Sequence, residues 1–434
     1  MNILITSASK KVSLIKSFKI AQSVNGGGEV IACDSSPKSI ALYFADDYRV
    51  SPKSDDTEFI PFLLQLCNEK KIKLIIPTRD GELKKLSDNK SLFEKFNCKV
   101  MVASPSTIRK CLDKYSFYQF CNKNEIPVPR TILIDFNIDL SVKKINDNFS
   151  FPVFIKPRVG YGSKKTFIAR NKDKLELFLK LNSEEEFIAQ EFIESVEYTV
   201  DLFLDFEGNI ISIIPRERVE VNSGESYIGR VEINSIIIKE VENLSKRLKL
   251  IGHNTIQCFY AFEDEQVLFI EVNPRYGGGA SLGFSAGAFT PEYLIKIIKG
   301  DKDQFRLTEI QNNLFMFRFP NEIFLNKSKE GFYKEYKDRK KFCIDIDGTI
   351  CTENCEYSQA KPLMSVINKI NNLYDAGHHI YLFTSRGAKS NHNWIPLTKK
   401  QLKEWGVRYH KISQGKPFAD YYVDNKSVDI LDWI

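Results

Sequence analysis

The chain has 434 residues, 43% of them hydrophobic and 27% charged, enough to bury several cores of roughly 100 to 200 residues each. Its net charge of +6 is the difference between 62 basic and 56 acidic residues. With no long block of one sign to track a nucleic-acid backbone, anionic small molecules are better expected partners than a polymer. Nine cysteines (Cys33, Cys67, Cys98, Cys111, Cys121, Cys258, Cys343, Cys351, Cys355) are an odd number without CxxC spacing, which excludes a zinc ribbon and predicts reduced core thiols. No stretch approaches the roughly 20 apolar residues of a membrane span, and the N-terminal apolar run is too short for a signal peptide. A cytoplasmic protein is expected.

In chain order, the first signal is four apolar runs, Ile3 to Thr6, Val30 to Cys33, Leu74 to Pro77 and Val100 to Ala103, separated by stretches able to form helices. That alternation predicts a small, Rossmann-like parallel α/β sheet over residues 1–113. The loop after the first run, TSASKKVS, lacks GxGxxG, so a dinucleotide site is not expected there. From Lys114 the pattern becomes an amphipathic helix, then FPVFIKPRVGYGSKK, a strand entering a glycine-bearing loop, and a helical segment near Asp173 to Leu181. A second set of strands, rich in carboxylates at their ends, completes a predicted α+β domain over 114–325. Residues 326–340, NKSKEGFYKEYKDRK, read as a charged connector. A new α/β unit is expected over 341–434, with strands at Phe342 to Ile346, His379 to Phe383 and Tyr421 to Val423.

An enzyme that activates a carboxylate with ATP must hold three phosphates, exclude water and supply Mg²⁺ as the acyl phosphate forms. Lys114 and Lys156 are point charges suited to phosphate oxygens, and Gly160, Tyr161, Gly162 and Ser163 form a loop whose N–H groups could wrap the distal phosphates. In IQCFYAFEDEQVLFIEVNPR, Glu271 and Asn273 are two apart and share a sheet face, with Gln257 on the preceding strand. Glu271 and Asn273 can there present oxygen ligands to hard metal ions. Arg216 and Arg218 are taken to point to opposite faces of RERVEV read as a strand, so at most one clamps a substrate carboxylate and the other belongs to a surface charge pattern.

The ordered series ILITSASKKVSLIKSF, PTRDGEL, CLDKYSFYQF, FPVFIKP, QEFIESVEYTVD, RERVEVNSGES, NTIQ and IEVNPRYGGG resembles the ATP-grasp superfamily, in its branch similar to the carbamoyl-phosphate synthase large chain. The resemblance covers Asn2 to about Pro320. It implies that Lys114 and Lys156 contact nucleotide phosphates, that Glu191 and the backbone of Ile193 hold adenine, and that Glu197 binds the ribose, with Glu194 as an alternative. It further implies that Gln257, Glu271 and Asn273 bind two Mg²⁺ and that Arg275 lies beside the transferred phosphoryl group.

KFCIDIDGTI ends an apolar strand with Asp345 and Asp347, whose carboxylates are expected on one side, one to attack phosphorus and one to pass a proton. Thr384 follows the apolar run IYLF, Lys416 sits in a GKP turn and Asp424 ends DYYVD; all fall at the C-terminal edge of a parallel sheet. Together these resemble the haloacid dehalogenase superfamily. The resemblance implies Asp345 as nucleophile, Asp347 as general acid/base, Thr384 and Lys416 on the phosphoryl oxygens, and one Mg²⁺ on Asp345, the Asp347 carbonyl and Asp424. Asn425 stands where many relatives carry a second Asp, and about 35 residues between Asp347 and Thr384 leave no room for a large cap.

The function expected is thus bifunctional: amide formation from a carboxylate and an amine, which is phosphorylated in one version, with ADP released, and dephosphorylation of a small metabolite. The uncapped phosphatase resembles those linked to capsule synthesis, which suggests surface-glycan or secondary metabolism. Rival readings replace the amine with ammonia or a thiol, or make the chain a nucleotide sensor without turnover. A homodimer is left open. The five histidines, His253, His378, His379, His392 and His410, form no HxxxH pair and are expected to be structural or exposed.

Overall fold

The computed structural model describes residues 1–434 except 136, 161–164, 183, 223, 302–308, 329–330, 334–339, 354–355, 376, 387–392, 415–420 and 424–434. Two compact units result, one made of Met1–Lys19 and Gly28–Asn321 and the other of Glu322–Ile434 with Ile20–Gly27.

The first unit opens with a parallel sheet of β1 (Asn2–Thr6), β2 (Val30–Asp34), β3 (Asp47–Val50), β4 (Ile72–Pro77) and β5 (Lys99–Val100), in the order β3-β2-β1-β4-β5. Ile3, Leu4 and Ile5 in β1 and Val30 to Cys33 in β2 are all buried, as strands covered on both faces require. β3, of sequence DYRV, carries no apolar run because it is an edge strand and only partly buried. The run Val100 to Ala103 stays buried, but only Val100 joins the ladder.

A four-stranded antiparallel sheet follows: β6 (Thr131–Leu133), β7 (Val153–Pro157), β8 (Phe167–Ala169) and β9 (Phe187–Glu191), in the order β6-β9-β7-β8. Helices Ile138–Asn148 and Lys172–Leu181 bury Val142, Ile145, Leu175 and Leu179 against Val153, Ile155, Ala169 and Phe187.

The largest sheet is antiparallel and comprises β10 (Val196–Leu204), β11 (Ile210–Asn222), β12 (Glu225–Val231), β13 (Gly252–Ala261), β14 (Gln266–Asn273) and β15 (Phe315–Phe317), in the order β14-β13-β10-β11-β12-β15. Along β10, Tyr198, Val200 and Leu202 join the core that Ile237, Val241, Leu244 and Leu248 of helix Ser235–Leu248 build with Ile256, Cys258 and Phe269. The helix residues recur every three or four positions, so one stripe covers the sheet. Asn234 caps that helix by accepting the N–H groups of Ile236 and Ile237. Because side chains alternate along a strand, the intervening Glu197, Thr199 and Asp201 face the other way. That second face carries the polar groups.

In the second unit, β16 (Asn326–Ser328) and β17 (Gly331–Tyr333) pair antiparallel within the segment expected as a connector. A parallel sheet of β18 (Lys341–Asp345), β19 (His379–Thr384), β20 (Lys411–Gln414) and β21 (Tyr421–Val423) has the order β20-β19-β18-β21. Its core joins Ile344, Ile346, Ile380 and Leu382 to Val366, Ile367 and Ile370 of helix Met364–Asp375 and Leu402 of helix Ile395–Glu404. Among the described residues no helix is long and apolar enough to cross a membrane, and the eight described cysteines are buried and form no disulfide with one another.

Candidate active site

Opposed residues of an antiparallel ladder point to the same side, so the register of the large sheet writes out one polar face. One row runs Glu271, Gln257, Thr199, Arg216 across β14, β13, β10 and β11. The next runs Asn273, Thr255, Asp201. Glu271, Asn273 and Gln257 therefore meet as expected, and the Asn273 amide donates to Glu271 Oε1 at 2.9 Å. Asn273 Oδ1 accepts from Arg275 Nη2 at 3.2 Å. Arg275 in turn reaches Asp80 with two N–H groups, Nε to Oδ1 at 2.8 Å and Nη2 to Oδ2 at 2.5 Å. The result is a continuous polar chain from Asp80 through Arg275 and Asn273 to Glu271.

Arg216 and Arg218 share this face rather than opposite ones, since a period of two returns every second residue to the same side. The two have different tasks. Arg216 is 2% exposed and donates Nε and Nη2 to Asp201 at 2.7 and 2.9 Å. Burial alone would raise the Asp201 carboxyl, but Arg216 and His253 outweigh it and hold that group below its usual range. Moving Arg216 away would strand a buried carboxylate, a loss of about 3–5 kcal/mol, so its guanidinium is committed to Asp201. A Cβ at Gly279 would lie 2.5 Å from Arg216 Nη1, so only glycine lets the loop after Arg275 rest on this pair. Arg218 instead faces Glu197, with Nη1 to Oε1 at 3.1 Å. Burial, helped by nearby Glu271, pushes Glu197 up while Arg218 and Lys156 oppose it.

Lys156, on β7, is 4% exposed. Burial lowers its ammonium to about 8, Lys114 adds to the effect, and Glu271 and Glu197 oppose it. Among the described residues Lys156 feels the opposing charges of Glu271 and Glu197 without a direct ion pair. Lys114 begins helix Lys114–Lys123, capped by Asp113, and donates to the Gly160 carbonyl at 2.8 Å. Gly162 and Ser163, with Tyr161, lie outside the described residues. Glu191 ends β9 and accepts from the Arg130 backbone N–H and Nε at 2.7 and 2.9 Å. Ile193 lies in the link between β9 and β10.

Asp80, Glu82 and Lys11 also belong to this polar network, although no local pattern in the sequence marks them as part of it. Asp80 opens helix Asp80–Asp88. Glu82 in that helix is fully buried and accepts from Thr78 N, Arg79 N and Ser7 Oγ, which pins the loop after β1 at Ser7, a residue with φ of +48°. Lys11 follows in that loop; burial lowers it to about 8, with Arg275 acting in the same direction and Asp80 and Glu225 against it. Asp80 and Glu82 fall in PTRDGEL and Lys11 in ILITSASKKVSLIKSF, but neither motif alone names a partner, because Arg275 is 195 residues from Asp80.

In the second unit, Asp345 ends β18 and Thr384 ends the adjacent β19. Thr384 is buried and its Oγ1 accepts the Arg386 N–H at 3.1 Å. The strand stops at Asp345, so Asp347 does not reach its place by strand alternation. It sits in a turn closed by Gly348 N–H to the Cys351 carbonyl at 2.8 Å, with Gly348 at φ +79°, and its carboxylate meets Arg386 at 2.6 Å. Lys416 and Asp424, like Asn425, lie outside the described residues.

Comparison with known proteins bears on the first unit. The family described as "PylC-like, N-terminal domain" matches residues 3–101, and the family described as "ATP-grasp domain" matches residues 111–279. The chain carries an ATP-grasp domain behind a PylC-like N-terminal domain. It is 22% identical over 241 residues to the carbamoyl phosphate synthase large chain of Pyrococcus furiosus, covering 52% of this chain and 22% of that one. It is 23% identical over 249 residues to the D-aspartate ligase of Enterococcus faecium, covering 51% and 59%. The chain thus spans about a fifth of the first relative and about three fifths of the second. Among solved structures, an ADP complex of N5-carboxyaminoimidazole ribonucleotide synthetase superposes with a TM-score of 0.58 at 16% identity, over 72% of this chain and 79% of that one.

Within the ATP-grasp domain, the donor set of one carboxylate and two amide side chains on one sheet face, beside the buried Lys156 ammonium, fits Mg²⁺ held jointly with phosphate oxygens. Lys156 also gives a pH dependence. Its depressed value means that the cation is present below about pH 8 and is lost above it. Binding of MgATP, measured by calorimetry, should be flat from pH 6.5 to 7.5 and weaken above 8 by up to about tenfold per pH unit. Lys156→Arg, which stays charged, should flatten the profile.

Proposed function

We propose that this chain is an ATP-dependent ligase that converts a carboxylate to an acyl phosphate and passes the acyl group to an amine. The observation that carries the reading is the meeting of Glu271, Asn273 and Gln257 with Lys156 and Arg275 on and around one sheet face. A carboxylate oxygen attacks the γ-phosphorus, the bond to the β,γ-bridging oxygen breaks, and ADP leaves. The amine then attacks the acyl carbon, loses a proton, and releases phosphate and the amide. Lys114 and Lys156 bind the phosphates, Arg275 faces charge building on the transferred group, and Gln257, Glu271 and Asn273 would hold Mg²⁺, which neutralises that charge. Glu191, Ile193 and Glu197 are proposed to hold the adenosine end, and Arg218 is the remaining arginine candidate for the acid. The relative named D-aspartate ligase supports an amino acid among the substrates.

The second unit is proposed to be a phosphatase of the haloacid dehalogenase type, with Asp345 as nucleophile and Asp347 as acid and base. Thr384 and Lys416 would hold the phosphoryl group, and Asp345, the Asp347 carbonyl and Asp424 would hold Mg²⁺. The parallel order β20-β19-β18-β21, with Asp345 and Thr384 at the ends of neighbouring strands, supports this. Its substrate is proposed to be the phosphorylated amine or the amide made from it, in surface-glycan or secondary metabolism.

The experiment is ADP release from the full chain against panels of acids and acceptors, amines, ammonia and thiols separately, with mass spectrometry of the product. ADP should appear only when an acid and an amine are both present, because the acyl phosphate is sheltered from water until the acceptor arrives. Release that ignores omission of either substrate, or that follows a thiol alone, would overturn the amide-forming reading.

A further inference from the structure

We infer that Arg386 is the positioning residue of the second site, fixing Asp347 so that its Oδ2 is the oxygen that exchanges the proton with leaving group and water. This rests on the phosphatase reading. Arg386 is 1% exposed and stands behind Asp347, whose side chain keeps 22% of its surface open. Nε donates to both Asp347 oxygens at 2.9 Å, and Nη2 donates to Oδ1 at 2.6 Å. Oδ1 also lies 3.6 Å from Cys351 Sγ. Oδ1 thus takes two N–H donors with the Cys351 thiol beside it, while Oδ2 takes one and keeps lone pairs for chemistry.

The guanidinium is itself fixed from behind. Nη1 donates to Gln401 Oε1 at 2.7 Å and to Thr398 Oγ1 at 3.2 Å, both on helix Ile395–Glu404, and the ring of Tyr357 lies 4.8 Å from Cζ. Gln401 is anchored by its own bond to the Tyr357 carbonyl at 2.5 Å. A planar fork held at every nitrogen sets the plane of the carboxylate it grips. Asp347 lies in a turn beyond β18, where a single bridge to Cys351 holds its backbone and Arg386 is left to aim its side chain.

In the reaction, Asp345 attacks phosphorus, the bond to the leaving oxygen breaks, and that oxygen takes a proton from Asp347. Water then attacks the aspartyl phosphate, gives a proton to Asp347, and releases phosphate with Asp345 restored. A misaimed Asp347 harms leaving groups that need the proton and spares those that do not. General acid catalysis contributes about 10²–10⁴-fold.

The test uses the full chain with Mg²⁺ and two substrates, p-nitrophenyl phosphate, whose leaving group is weakly basic, and glycerol phosphate, whose leaving group is strongly basic. Arg386→Met should lower kcat on glycerol phosphate by about 100-fold and on p-nitrophenyl phosphate by less than about tenfold. Arg386→Lys should recover part of the loss. Asp347→Asn with Arg386→Met should be no slower than Asp347→Asn alone, because both act on one proton transfer. Equal losses on both substrates, losses that multiply in the double variant, or unfolding of both Arg386 variants by circular dichroism would make Arg386 a structural brace and overturn the inference. Absence of turnover by the unaltered chain, or turnover that survives Asp345→Asn, would instead remove the phosphatase reading itself.

Discussion

Glu271→Ala is expected to reduce ADP release by a factor on the order of 10² to 10³, the scale on which removal of one group facing transition-state charge slows an enzyme. Glu271 is the carboxylate among the three oxygen donors, placed opposite Gln257 and bonded to Asn273. Without it the remaining amides offer dipoles but no charge to a hard cation. The Asn273 amide also loses its acceptor, which loosens the chain that runs through Arg275 to Asp80. The loss should appear chiefly in kcat, and added Mg²⁺ should shift the residual rate upward. Initial-rate assays across a Mg²⁺ series check it. An unaltered rate would mean that the metal and the γ-phosphate sit elsewhere.

Asp345→Asn should abolish phosphatase turnover, by a factor approaching the roughly 10⁶ that loss of a catalytic nucleophile costs, and should leave ADP release within about twofold. The amide is close to isosteric, so β18 and its pairing with β19 and β21 lose no apolar contact, and folding should survive. The variant also serves as a trap. If the ligase uses a phosphorylated amine, mass spectrometry should detect an amide that still bears phosphate. Collapse of ADP release in this variant would show that the two activities depend on one another.

Legibility followed the range of the physics involved. β1, β2 and β4 could be read because strands buried on both faces are continuous apolar runs. The shared face of Glu271 and Asn273 could be read because they sit two apart on a strand with a strong pattern. β3 could not, since an edge strand of sequence DYRV leaves no such mark. The pairing of Arg216 with Asp201 was hidden because it depends on the register of β10 against β11, which no local pattern reveals. Asp80 and Arg386 were missed for the same reason, their partners being 195 and 39 residues away. A buried arginine always needs a counter-charge, but the sequence does not say which arginine is buried. Arg216 and Arg218 share a face and not opposite ones, as the two-residue period of a strand requires.

An acyl-phosphate intermediate fixes the path of oxygen through the reaction, and isotope tracing follows it. The full chain is incubated with MgATP, an amine and an acid carrying ¹⁸O in its carboxylate, and the phosphate released is analysed by mass spectrometry. Attack of a carboxylate oxygen on the γ-phosphorus, followed by cleavage of the acyl carbon–oxygen bond, must leave one labelled oxygen in each phosphate formed with the amide. Amide formation with unlabelled phosphate, or with AMP in place of ADP, would exclude an acyl-phosphate intermediate.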